Sequence, residues 1–133
     1  MDLQITKEEL EQLIADCVKK FMKNILDRKD LAEVTNKNGH EDGNWIRAWG
    51  ECAGVDIDNP KIGCSNPLCD NYGKPLDDDN RVGGHVHIVG DAPNLFYIAP
   101  LCKKCNSEND FFFVDRKKML LLSKVKQYLN KQN

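Results

Sequence analysis

The chain has 133 residues and a formal charge of −2, from 19 Lys and Arg against 21 Asp and Glu, so it lacks the global basic field of a dedicated polyanion binder. No run approaches the roughly 20 consecutive apolar residues of a membrane-spanning helix, which removes the membrane as an expected partner. The length suits one domain with an appended helical arm.

The opening MDLQITKEEL has neither a basic leader nor an apolar stretch, so a cytoplasmic location is expected. Thr6 and Glu9 form a capping-box pair, and Leu10, Leu13, Ile14, Cys17, Val18, Phe21, Met22 and Ile25 recur at helical spacing. The spacing predicts an N-terminal amphipathic helix as the segment 1–34. Its stripe must be covered, by docking on the rest of the chain or by self-association, and its width favours docking. Residues 35–43, with Asn36, Asn38, Gly39 and Gly43, read as a linker in which His40 is a solvated side chain.

From Asn44 to Cys52 a second helix is expected, with Trp45, Trp49 and Cys52 on one side. The two tryptophans suit a hydrophobic clasp better than base stacking, because core tryptophans are commoner. The segment between Asp70 and Val82 carries few large apolar residues and buries little hydrocarbon. Its Asp77, Asp78 and Asp79 do not satisfy the calcium-loop pattern, which needs a glycine and a closing glutamate. Val82 to Val89 reads as a strand with His85 and His87 on one face and Val86 and Ile88 on the other. Leu95 to Ala99 is its expected partner across the turn Gly90 to Asn94, and Pro100 is expected to end that strand. Cys105 is read as opening a helix, and Phe111 to Val114 as a short strand or packed turn. Asp115 is the expected cap of a basic C-terminal helix over residues 116–133, with Leu121, Leu122, Val125, Tyr128 and Leu129 on one side.

Cysteine spacing carries the chemistry. Cys64 and Cys69, then Cys102 and Cys105, make two pairs separated by a stretch without cysteine, the way a chain supplies four thiolates to one structural zinc ion. Such an ion contributes about 10–16 kcal/mol of apparent binding free energy, comparable to the net stability of a domain. Disulfides would need an oxidising compartment, and a redox reading of Cys102 to Cys105 leaves Cys64 and Cys69 without a purpose. Cys17 and Cys52 sit on apolar helix sides and are not expected ligands.

The order of knuckle, histidine-bearing strand, turn, strand and Cys-x-x-Cys at a helix start resembles a treble-clef zinc finger. The stretch Asn94-Leu95-Phe96-Tyr97-Ile98-Ala99-Pro100-Leu101-Cys102-Lys103-Lys104-Cys105-Asn106 resembles the C-terminal half of the HNH, or His-Me finger, endonuclease motif. Gly84-His85-Val86 with Tyr97 to Cys102 is also similar to a group of small bacterial proteins that carry a related zinc module. The resemblance implies an α+β fold: an HNH-like treble-clef domain over residues 44–115, with flanking N- and C-terminal helices. In the active family a strand histidine activates water and a second divalent metal stabilises the developing charge. His85 or His87 matches that histidine, Asn94 the central asparagine, and Asn106 the final motif residue. The acidic metal ligand expected directly before the histidine is replaced by Gly84 or Val86. The expected function is therefore a zinc-binding module that recognises DNA, RNA or a protein with a degenerate catalytic strand. The alternative is a metal-dependent endonuclease with His85 as general base. From Leu101 onward, Lys103, Lys104, Arg116, Lys117, Lys118, Lys124, Lys126 and Lys131 outnumber the acids and give this third a local cationic character.

Overall fold

A computed structural model describes residues 4–26, 30–37 and 44–132. They form two compact units, one ending at Leu31 and the other beginning at Ala32. His40, Asn38, Gly39 and Gly43 of the expected linker lie outside the described residues.

The first unit carries helix α1, Lys7–Leu26. Thr6 Oγ1 accepts the Glu9 backbone N–H at 3.1 Å, one half of the expected capping box. Leu10, Leu13, Ile14, Val18 and Phe21 are all exposed, as is Cys17.

The second unit is α+β, built on a five-stranded sheet in the order β4-β1-β2-β3-β5, where β1 is Leu31–Asn36, β2 Arg81–Ile88, β3 Tyr97–Cys102, β4 Phe112–Asp115 and β5 Leu120–Leu121. The pairings β1 with β2, β2 with β3, and β3 with β5 are antiparallel. Three helices complete it: α2 (Trp45–Ala53), the single turn α3 (Lys103–Asn106) and α4 (Leu122–Gln132). Helix α2 starts where Asn44 accepts the Arg47 N–H at 3.4 Å and stops at Gly54, whose φ of 71° closes a left-handed C-terminal cap.

Several expectations are corrected. The N-terminal segment is not helical to residue 34, nor do Thr35 and Asn36 belong to a linker: Leu31–Asn36 is a strand, with Val34 opposite Ile88 and Asn36 opposite Val86. Pro100 does not end β3; it lies inside it, opposite Gly83. β5 pairs only with Tyr97 and Ile98, so Pro100 sits where the far edge of β3 needs no ladder donor, and its carbonyl accepts the Ser65 N–H at 2.9 Å. The helix read from Cys105 begins two residues earlier, at Lys103. Asp115 does not cap α4, which starts at Leu122: it ends β4 and precedes a 3-10 turn, Arg116–Lys118, without a side-chain cap hydrogen bond, and its buried carboxylate instead accepts the Tyr72 hydroxyl at 2.8 Å.

The sheet has a core on each face. On one, Val34, Val86, Ala99 and Leu101 pack with Cys64, Cys102, Cys105, Leu76, Phe112 and Val114. On the other, Ile98 packs with Trp45, Trp49, Ile46 and Ile57 and with Leu122 and Val125 of α4. Trp49 is 1% exposed and donates its Nε1–H to the Lys118 carbonyl at 2.9 Å, so the tryptophans are core, as expected. The expected dearth of apolar residues after Asp70 has one exception, Leu76, which anchors the segment in the cysteine-side core. The nearby aspartates make ion pairs, Asp77 with Lys61 and Asp78 with the buried Arg81.

Candidate metal centre

Cys64, Cys69, Cys102 and Cys105 converge, their sulfurs all within 4.8 Å of one another, and together they can hold one metal ion. Local structure explains the convergence. The Cys64 N–H donates to the Asn71 carbonyl and the Cys69 N–H to the Asn66 carbonyl, which curls residues 64–71 into a knuckle. The knuckle is tied to the sheet by Ser65 N–H to Pro100 O and by Asp115 N–H to Ser65 O. The other two cysteines flank the β3–α3 junction, where the chain turns from extended at Cys102 into the single turn that carries Cys105.

The donor set suits a tetrahedral ion. Metal–sulfur bonds of about 2.3 Å place the sulfurs of a tetrahedron roughly 3.8 Å apart. The Cys69 and Cys102 sulfurs are 3.7 Å apart. Several N–H donors already point at sulfur, among them Asn66 Nδ2 at 3.5 Å from Cys105 Sγ and the Asn71 backbone at 3.4 Å from Cys69 Sγ. Such outer contacts orient thiolates and stabilise their charge. The Cys105 thiol, with the backbone N–H groups of Asn66 and Cys102, brings Cys64 down to about 5, in the direction that favours a thiolate ligand. Cys105 is pushed up, because it gives its hydrogen bond to Cys64. All six cysteines are free of disulfides.

Access to the cluster is one-sided. Cys64, Cys102 and Cys105 are buried, and Cys69 is half-buried. A cavity of about 250 Å³ touches Cys69 and Cys105 and is lined by Asn66, Lys104, Glu108 and Phe112 among others. A second, of about 180 Å³, touches Cys64 and includes Tyr72, Asp115, Lys117 and Lys118.

The other sequence-derived site residues are not gathered with one another, and of them Asn106, next to Cys105 in α3, lies on the cysteine side. His85 is 3% exposed, with its ring edge against Trp45 at a centroid distance of 5.0 Å. It faces the tryptophan core. His87, on the same strand face, donates Nδ1–H to the Leu95 carbonyl at 2.9 Å and lies 5.7 Å from the Phe96 ring, a lock on the β2–β3 turn. Asn94 is exposed in that turn. Asn106 lies across the sheet: a Cβ on Gly84 would sit 2.9 Å from Asn106 Oδ1, whereas one on Gly83 would meet Trp45 and Ile46. Adjacent strand residues point to opposite faces, so His85 and Asn106 are separated by the β2 backbone.

Two asparagines matter that sequence reasoning passed over. Asn66 is 8% exposed; besides reaching Cys105, its Oδ1 accepts the Leu68 N–H at 3.0 Å and shapes the knuckle. Asn36 donates to the carbonyls of Cys105 at 2.8 Å and Glu108 at 2.9 Å, pinning α3 from β1. The position of Asn66, two residues after Cys64, was a local signal; Asn36 had none, since its partners are far along the chain.

Compared with protein-family models, curated proteins and solved structures, the chain matches none. Among the described residues no helix is long and apolar enough to cross a membrane.

Proposed function

We propose that this protein is a zinc-stabilised treble-clef module that binds nucleic acid without cleaving it. The observation that carries the reading is the division of the HNH-like residues between the two faces of β2. A general base needs to reach its water and share a pocket with the metal ligand. His85 is instead packed edge-on against Trp45, with Asn106 behind the strand. Zinc is the proposed ion because four cysteines whose sulfurs lie within 4.8 Å of one another are the usual donor set of a closed structural zinc site. The order of knuckle, β2–β3 hairpin and ligand-bearing helical turn supports the treble clef.

Nucleic acid is favoured over a protein partner by the cations beside the cluster. Lys117 and Lys118 line one adjoining cavity with Asp115, Lys104 lines the other with Asp70 and Glu108, and Lys103 is exposed next to Cys102. Phosphate contacts of this kind release counterions, so binding should weaken steeply as salt rises. The test is titration of purified protein, with its metal quantified, against labelled single- and double-stranded DNA and RNA at several salt concentrations. Expected are one zinc per chain and salt-sensitive binding that Lys103→Glu with Lys104→Glu weakens without loss of metal. No binding to any of the four at low salt would overturn the recognition reading. Cleavage in magnesium or manganese, abolished by His85→Ala with zinc retained, would install the endonuclease instead.

A further inference from the structure

We infer that α1 is a homodimerisation element that pairs antiparallel with α1 of a second copy. The helix has 20 residues, so it is about 30 Å long. Leu10, Leu13, Ile14, Val18 and Phe21 along it are 45–54% exposed. A contiguous apolar patch of this kind marks an interaction surface, because isolated amphipathic helices draw most of their stability from covering that face.

Charge identifies the occupant. Apart from Lys7 at the first position, the charges of the first half of the helix are acidic, Glu8, Glu9, Glu11 and Asp16, and those of the second half are basic, Lys19, Lys20 and Lys23. A parallel copy would set like charge beside like. An antiparallel copy sets the acidic end of each helix beside the basic end of the other. The apolar residues are compatible with the same arrangement. With the two-fold axis level with the midpoint of Ala15 and Asp16, Leu10 of one copy is level with Phe21 of the other, Leu13 with Val18, and Ile14 with Cys17. The stripe is thus complementary to itself, as an isologous interface requires.

The edges can be specified too. Glu9 and Lys20 are eleven residues apart, about three turns, and so border the same edge of the stripe. A two-fold axis across an antiparallel pair brings equivalent edges together. Glu9 of one copy then lies within about 3 Å, measured along the axis, of the level of Lys20 of the other, and the contact occurs twice.

The test is sedimentation equilibrium of the full chain, with zinc content measured on each sample. The wild type is expected to be a dimer. Ile14→Asp, at the centre of the stripe, should give a monomer with unchanged metal. Glu9→Lys and Lys20→Glu leave the apolar stripe intact, and each should weaken association at least about fivefold, from two contacts turned from attraction to repulsion. Combining them should restore the wild-type dissociation constant, since the pair is then merely reversed. A monomeric or higher-order wild type, a dimer that survives Ile14→Asp, or failure of the double variant to recover would each overturn the antiparallel pairing. None of these outcomes depends on nucleic-acid binding.

Discussion

The two faces of the sheet are held by different physics. The face toward α2 and α4 is a hydrocarbon core in which Trp45, Trp49, Ile46, Ile57, Ile98, Leu122 and Val125 are buried together. The opposite face has smaller or softer contents, among them Ala32, Ala99 and three buried cysteines, and much of it is arranged around sulfur. Burial of large apolar groups supplies about 1.5–3 kcal/mol per side chain on the first. On the second, an ion held at the four sulfurs would supply what hydrocarbon does not. One sheet therefore joins a face filled by large apolar side chains to a face that carries a candidate metal centre, through strands β2 and β3 that belong to both.

The most severe way to break this pairing is to remove a ligand. Cys102→Ser should abolish tight metal binding and, because β3 serves both faces, the cooperative thermal transition as well, read by metal analysis and calorimetry. A variant that lost the metal yet kept its transition would show the tryptophan face standing alone. Next in size is Trp49→Ala, expected to cost about 3–5 kcal/mol in denaturant unfolding while the metal-to-chain ratio stays that of the wild type.

Adjacent glycines sharpen the contrast. A Cβ on Gly83 would lie 2.6 Å from the backbone of Trp45 and Ile46, which cannot move without shifting α2. One on Gly84 would lie 2.4 Å from Leu101 Cδ1, a side chain that can rotate at the expense of the cysteine-side packing. Gly84→Ala should therefore cost about 1–3 kcal/mol, and Gly83→Ala more, both measured by urea unfolding.

The smallest effect concerns the clamp at the end of β2. Asp58 accepts hydrogen bonds from Arg81 at 3.0 Å and Arg47 at 3.3 Å, which holds its carboxyl below the usual 3.8. A carboxyl whose folded pKa is lowered contributes stability that is fully present above its unfolded value and is lost as pH falls through the folded one. The melting temperature of Asp58→Asn should lie slightly below that of the wild type at neutral pH, and the difference should close on acidification below pH 3.8. A gap that stayed constant with pH would assign the effect to geometry rather than charge.

What the sequence determined by itself is local. Helical spacing located α1 and α2, alternation located β2, and the two cysteine spacings named the four residues whose sulfurs converge. Each of these signals lies within a few residues of chain, where periodicity and ligand geometry operate. Only the tertiary structure decided the rest. Leu31–Asn36 is a strand because β2 offers it an edge, although a short mixed segment has no decisive period of its own. Pro100 continues β3 because no neighbour asks for its missing N–H, and Asp115 serves Tyr72 rather than a helix because residues 43 positions apart meet there. The histidines show the same limit most sharply. Alternation put His85 and His87 on one face, but which core that face meets, and that Asn106 lies beyond the other, depends on how α2 and α3 pack against the sheet. That choice is long-range, set by the whole of both cores, and no spacing along the chain encodes it.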